Sequence, residues 1–322
     1  MNVLVDRHHA GLFHSMQLLA ERFGWTLYTP TGQAWWDKGY WNFGRWTWPD
    51  SRLARQYLNA AQEPDNEFPD WPINYVSLEE ARQMPWAFVI ATLQDNQHGF
   101  AQFARETGAQ FVIQVGNTGQ YVDWGLDPLV LMSSEMPILG KGVVYHQPMD
   151  PVPFMEPYPI ARTWAASFVN CMPSMGGCYE LLQNAQSLGL VVDVYGIDGP
   201  AGVIKPYSRS VELMAGVGWG WHDKAHGDGF GHVIHGWAQV GRPLIGHASH
   251  YAGKMAESLW VDGETCIDLD RHSVGEAVST VLSMSPQRHR EMCLAIRAKF
   301  DAIDWEGEAR AIEDLLGLAV AA

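Results

Sequence analysis

The chain has 322 residues, too many for one ordinary compact domain and enough for two of about 150 each. Apolar residues make up 47% and charged residues 18%, a globular composition that excludes a disordered chain, and no apolar run approaches the roughly 18 residues of a membrane span. With 21 basic against 36 acidic residues the formal charge is -15, a field that repels nucleic acid and argues against a non-specific nucleic-acid binder.

The first half opens on a strand, "NVLVD", and continues in "HHAGLFHSMQLLAERFG", where Leu12, Met16, Leu19 and Phe23 recur at helical spacing until Gly24. Its start has neither the basic flank nor the long apolar core of a secretory leader, so a cytoplasmic location is expected. Cys171, Cys178, Cys266 and Cys293 show no C-x-x-C spacing and read as free buried thiols, in keeping with a reducing compartment. "WTLYTP" reads as the second strand. The stretch 35–71 then carries Trp35, Trp36, Trp41, Trp46, Trp48 and Trp71 without helical or strand period, which marks a long loop or insertion. Its rings form either a small satellite core or a stacking surface for a sugar or base; on the second reading Trp35, Trp36, Trp46 and Trp48 are acceptor-binding candidates. "WAFVIAT", "AQFVIQVG" and "PLVLMSS" read as further strands, with a helix "NQHGFAQFARETG" closed by Gly108.

Continuous apolar strands alternating with helices imply a parallel sheet covered on both faces. Pro148, Pro151, Pro153, Pro157 and Pro159 break the pattern between Tyr145 and Arg162 and mark a linker, dividing the chain into domains 1–150 and 151–322. The second half repeats the rhythm. "ASFVNCM", "LVVDVYGI", "RPLIGH" and "CIDLD" read as strands and "WGW" as a buried edge. "GGCYELLQNAQSLG", "SRSVELMAGVG", "SVGEAVSTVLSM" and "SPQRHREMCLAIRAKFDAI" read as helices, and the last helix is a candidate to return to the first domain. Two such α/β sheets hold ligands outside the carboxyl ends of their strands.

The segment from Ala225 to His250 is rich in glycine and histidine. Gly229 and Gly231 precede a helix predicted from about His232 to Val240, whose amino end attracts anions such as phosphate. Of the spaced pairs His222/His226, His232/His235 and His247/His250, only His232 and His235 fall on a predicted helix and could share a metal ion. Without a nearby Glu or C-x-x-C, the histidines read as pocket residues and no metal is expected.

The string "DGFGHVIHGWAQVGRPLI", with the domain order and the proline hinge, resembles the donor segment of GT-B glycosyltransferases, especially the retaining group with an acidic-Gly-Phe-Gly motif. The similarity runs over roughly residues 165–316. It implies an α/β chain of two Rossmann-like domains facing each other across a cleft. The first would hold an acceptor hydroxyl on a glycan, protein or modified nucleobase, and the second a nucleotide-diphosphate sugar used as co-substrate, with no further cofactor. By the same resemblance Asp228 touches the donor sugar, Gly229, Phe230 and Gly231 form the pyrophosphate turn, His232 opens the helix behind it, and Gly11 faces the donor from the first domain. Gly236 stands where the family has a second Glu, and "VNCMPSMGG" offers no cation for the diphosphate. Lys205, His222, Lys224 and His226 are the candidates to replace that charge, since a leaving diphosphate needs it. If the reaction inverts configuration, Asp95, His8 and His9 sit at strand ends suited to a general base. The alternatives are a non-catalytic nucleotide-sugar binder on this fold and a histidine-liganded metal hydrolase.

Overall fold

The computed structural model of the chain describes residues 1–6, 10–41, 73–168, 178–196, 199–204, 209–224 and 227–318. These fall into two compact units: residues 1–150 together with the segment from Asp304 onward, and Pro151–Ile303. Among the described residues no helix is long and apolar enough to cross a membrane.

The first unit is built on β1 (Asn2–Val5), β2 (Thr26–Pro30), β3 (Asn74–Val76), β4 (Phe88–Ala91), β5 (Gln110–Val115), β6 (Leu129–Met132) and β7 (Gly142–Val144). Their order is β3-β2-β1-β4-β5-β6-β7 and every pairing is parallel. Parallel neighbours require crossovers, here through α1 (Ala10–Phe23), α2 (Gln33–Asp37), α3 (Leu78–Ala81) and α4 (Gln97–Thr107). The two-residue period of a strand splits β1 between two cores. Val3 and Val5 pack with Phe13, Met16 and Ile90 on one face, while Leu4 packs with Val89, Phe100 and Phe103 on the other. The three-residue strands β3 and β7 are not among the strands expected from the sequence.

The second unit carries β8 (Trp164–Phe168), β9 (Val191–Tyr195), β10 (Trp219–Trp221), β11 (Leu244–Gly246) and β12 (Cys266–Asp268) in the order β12-β11-β10-β8-β9, again all parallel. Its helices are α5 (Cys178–Ser187), α6 (Arg209–Ala215), α7 (His232–Gln239), α8 (Val274–Ser283) and α9 (Pro286–Asp301). "WGW", expected as an edge, is the central strand β10. Trp219 and Trp221 are both fully buried and share one face with Ala165, Val192, Ile245 and Val278. Helix α10 (Trp305–Leu316) belongs to the first unit, where Ile312 and Leu316 join the core of Val3 and Met16, and Glu306 pairs with Arg22.

The turn from α7 into β11 is fixed by a buried arginine. Arg242 donates to the carbonyls of Val217 (2.7 Å), Met155 (2.7 Å), Val240 (2.9 Å), Gly241 (3.3 Å) and Ala215 (2.6 Å), and it has no exposed surface. Burial draws its pKa below the ordinary value, but five acceptors hold the guanidinium in place. Cys266 and Cys293 are free and buried. Burial pushes the Cys266 thiol far up and the Cys293 thiol up to about 12, so neither is a thiolate at neutral pH. Cys171 lies outside the described residues, as does the side chain of Cys178.

Two outcomes follow from this packing. Arg242→Ala leaves several buried carbonyls without a donor, each costing about 1–3 kcal/mol, so urea denaturation should show a loss of at least about 3 kcal/mol. A loss below about 1 kcal/mol would mean that the neighbours or water replace the guanidinium. Alkylation of the native protein, mapped by mass spectrometry, should leave Cys266 and Cys293 unlabelled until denaturant is added. Rapid labelling of either in the native state would contradict the raised thiol pKa values.

Candidate functional site

In an open parallel sheet the ligand crevice lies outside the carboxyl ends of the strands, where the strand order reverses direction. In the first sheet this point is between β1 and β4. The residue after β1, Asp6, is buried and accepts hydrogen bonds from Thr92 N (2.5 Å), Leu93 N (3.1 Å) and Asn96 Nδ2 (2.6 Å). Burial pushes its carboxyl above the usual range in spite of these donors. Asp6 thereby pins the turn after β4 that carries Asp95, the described base candidate, in a 3-10 segment Gln94–Asn96. His8 and His9 lie outside the described residues. Gly11 is placed in the first turn of α1 rather than in a loop, its carbonyl accepting from Ser15 Oγ at 3.0 Å.

The tryptophan candidates divide. Trp35 is fully buried, donates to the carbonyl of Val76 at 3.0 Å and packs 4.9 Å from Phe103 between ring centroids. It is a core residue with no face for an acceptor, which corrects the expectation for it. Trp36, one residue on, is 42% exposed because the helical turn rotates it to the other side of α2. Trp46 and Trp48 lie outside the described residues.

In the second sheet the order reverses between β8 and β10, and β10 leads directly into the candidate site. The side chains of the three residues after it divide between two partners. His222 Nε2 donates to Asp228 Oδ2 at 2.8 Å, and the Lys224 ammonium donates to Asp228 Oδ1. Asp223, between them, accepts from His247 Nδ1 at 2.8 Å and has His250 Nδ1 3.1 Å away. Desolvation pushes the Asp228 carboxyl up, but the hydrogen bond from His222 and the charges of His222 and Lys224 outweigh it and hold the group well below the usual carboxylate range. His222 is itself fully buried. Its Nε2 is engaged with Asp228.

Asp228 is followed by Gly229, Phe230 and Gly231, all buried, while Asp228 keeps about a fifth of its side chain exposed. Gly231 has φ 82° and ψ 56°, left-handed values that a side chain resists, and it gives α7 no side-chain cap. The Phe230 ring stacks on His235 at 4.2 Å and meets His232 edge-on at 4.8 Å. His235 Nδ1 donates to the Gly231 carbonyl at 3.0 Å. His232 and His235, the helical pair the sequence singled out, are thus engaged in packing the turn. The histidines that converge are His247 and His250, on the turn that follows β11, and chain spacing alone could not match them with Asp223. A cation also went unnoticed: Lys254 Nζ lies so close to Gly227 that a Cβ there would stand 2.6 Å from it. Lys205 and His226 lie outside the described residues.

The electrostatics of Asp228 are testable. Because its folded pKa is depressed, its ion pair contributes stability in full above the unfolded carboxyl value of about 3.9, and that contribution is lost as pH falls from there through the folded value. Carboxyl NMR should place the Asp228 midpoint below about 3.9, and Lys224→Gln should move it upward. A midpoint at or above the ordinary value would remove the ion pair from the site.

No family model matches the chain, and no curated protein matches it. Solved structures do. HepE from Anabaena in complex with UDP-glucose matches with a TM-score of 0.61 at 12% identity over 99% of this chain and 100% of that one. Sucrose-phosphate synthase from Thermosynechococcus elongatus matches with a TM-score of 0.59 at 12% identity, covering 98% of each chain. The apo form of the lipopolysaccharide outer core galactosyltransferase WaaB matches with a TM-score of 0.55 at 11% identity, covering 98% of this chain and 99% of the other. The strand orders of both units, the switch-point placement of Asp228 and these likenesses agree that the chain has the GT-B fold, with two Rossmann-like α/β units, that these glycosyltransferases share.

Proposed function

We propose that this protein is a glycosyltransferase that moves a sugar from a nucleotide-diphosphate donor to an acceptor hydroxyl, and that the second unit holds the donor. The observation that carries this reading is the Asp228 carboxylate, kept ionised by His222 and Lys224 at the mouth of a glycine turn that opens α7. A carboxylate has about four lone-pair sites, so two donors leave room for sugar hydroxyls. The amino end of α7 carries roughly half a positive charge and suits the donor's diphosphate, with Lys254 beside the turn as a further cation. In a water-poor site these fixed dipoles and charges would stabilise the departing diphosphate without reorganising. Asp95, on a turn pinned by Asp6, is the base candidate if configuration inverts.

A second reading, a nucleotide-sugar binder without transfer activity, draws support from Lys224. Its ammonium is committed to Asp228, and Gly236 replaces the family's second acid. Donor turnover separates the two readings.

The HepE complexes contain UDP, UDP-glucose, and UDP with glucose, so UDP and UDP-glucose are the first probes for this chain. Calorimetry should detect binding of at least one nucleotide sugar from a panel headed by these. Asp228→Asn should weaken that sugar nucleotide by about 10- to 100-fold, the span of a charged hydrogen bond, and the free nucleotide less. Gly231→Val forces a branched residue into the left-handed region and should remove both affinities while far-UV circular dichroism stays near wild type. Unchanged donor affinity in a folded Gly231→Val protein, or no binding by the wild type across the panel, would overturn the proposal.

A further inference from the structure

We infer that Asp223, His247 and His250 form a binding site for a divalent transition-metal ion of the zinc class. Their ligand atoms all lie within 4.8 Å of one another. The proposal goes beyond the donor site at Asp228 and does not depend on it.

The topology brings the three together. β10 and β11 are parallel neighbours, with Gly220 paired to Leu244 and Trp221 to Ile245, so their carboxyl ends emerge side by side. Asp223 follows β10 by two residues, His247 follows β11 directly, and the 3-10 turn Ala248–Tyr251 folds His250 back beside it. The two imidazole rings stand 4.9 Å apart between centroids.

Charge and hydrogen bonding then point to a cation. The Asp223 side chain is 5% exposed, and its ion-pair partners among the described residues are the two imidazoles alone. A buried carboxylate is costly in a low dielectric unless a cation balances it. His247 Nδ1 donates to Asp223 Oδ1. His250 Nδ1 lies 3.1 Å from the same oxygen but off the hydrogen-bond direction, buried and without a hydrogen-bond partner among the described residues. A metal ion would take lone pairs from all three groups and balance the carboxylate.

The donor set selects the class of ion. Two imidazole nitrogens and one carboxylate oxygen suit zinc and its first-row neighbours, whereas magnesium and calcium prefer oxygen alone. Three protein ligands leave a coordination position open, and both histidines are partly exposed, so water or an anionic ligand can fill it.

The test uses the full chain, stripped of metal and free of nucleotide. Zinc titrated against a chromophoric chelator should bind once per chain, and cobalt should give the visible absorption of a four-coordinate complex. His247→Gln and His250→Gln should each lower zinc affinity by about 100-fold or more, since even outer partners of a metal site are worth up to that much. His98→Gln, at an exposed histidine elsewhere, should leave it unchanged, and excess magnesium should not compete. Asp223→Asn should also lose the ion; should it not fold, the two histidine variants decide. Absence of the cobalt spectrum, or zinc affinity that survives in both His247→Gln and His250→Gln, would overturn the site and leave a metal-free Asp-His cluster. Neither result bears on nucleotide binding, which is measured separately.

Discussion

Both sheets are parallel throughout, and that one constraint organises the molecule. A parallel strand cannot return by a hairpin, so each connection crosses a face and the strands of a sheet all deliver their carboxyl ends to the same edge. In the second unit β10 and β11 deliver His222, Asp223, Lys224 and His247 to it, and the chain between them supplies Asp228 and the turn into α7. The opposite end of the same sheet carries Arg242, which donates to five backbone carbonyls.

The segment after β10 serves two clusters at once. His222 and Lys224 share Asp228, while Asp223 between them meets His247 and His250. Three consecutive residues thereby couple two carboxylates without letting them share a counterion. The arrangement also explains why a histidine count misleads. His232 and His235, on a helix, are taken up by Phe230 and the Gly231 carbonyl, whereas His247 and His250, at the same three-residue spacing on a 3-10 turn, meet Asp223.

Much of the fold was legible because long strands and helices repeat their pattern often enough to be read. "FVIQV" and the helix closed by Gly108 are strong periodic signals, and the acidic-Gly-Phe-Gly string marked the Asp228 turn. Among the three-residue strands, β11 and β12 lie in the legible strings "RPLIGH" and "CIDLD", β3 and β7 were not legible, and the β10 tryptophans looked like an edge although they fill the centre. Long-range pairings were harder still. Nothing in the chain between Asp223 and His250 announces that a 27-residue separation closes to a few ångströms, and no spacing rule links Asp6 to Asn96. Trp35 shows the limit of composition: an aromatic-rich stretch predicts contact surface and core equally well, and only burial decides.

The return of α10 to the first unit has a consequence for biosynthesis. Ile312 and Leu316 sit in the same core as Val3 and Met16, Glu308 holds His146, and Glu306 holds Arg22. Domains generally fold as units, the amino-terminal one first as it leaves the ribosome. Here the amino-terminal unit lacks part of its own core until the segment from Asp304 onward has been translated, after the whole of the second unit.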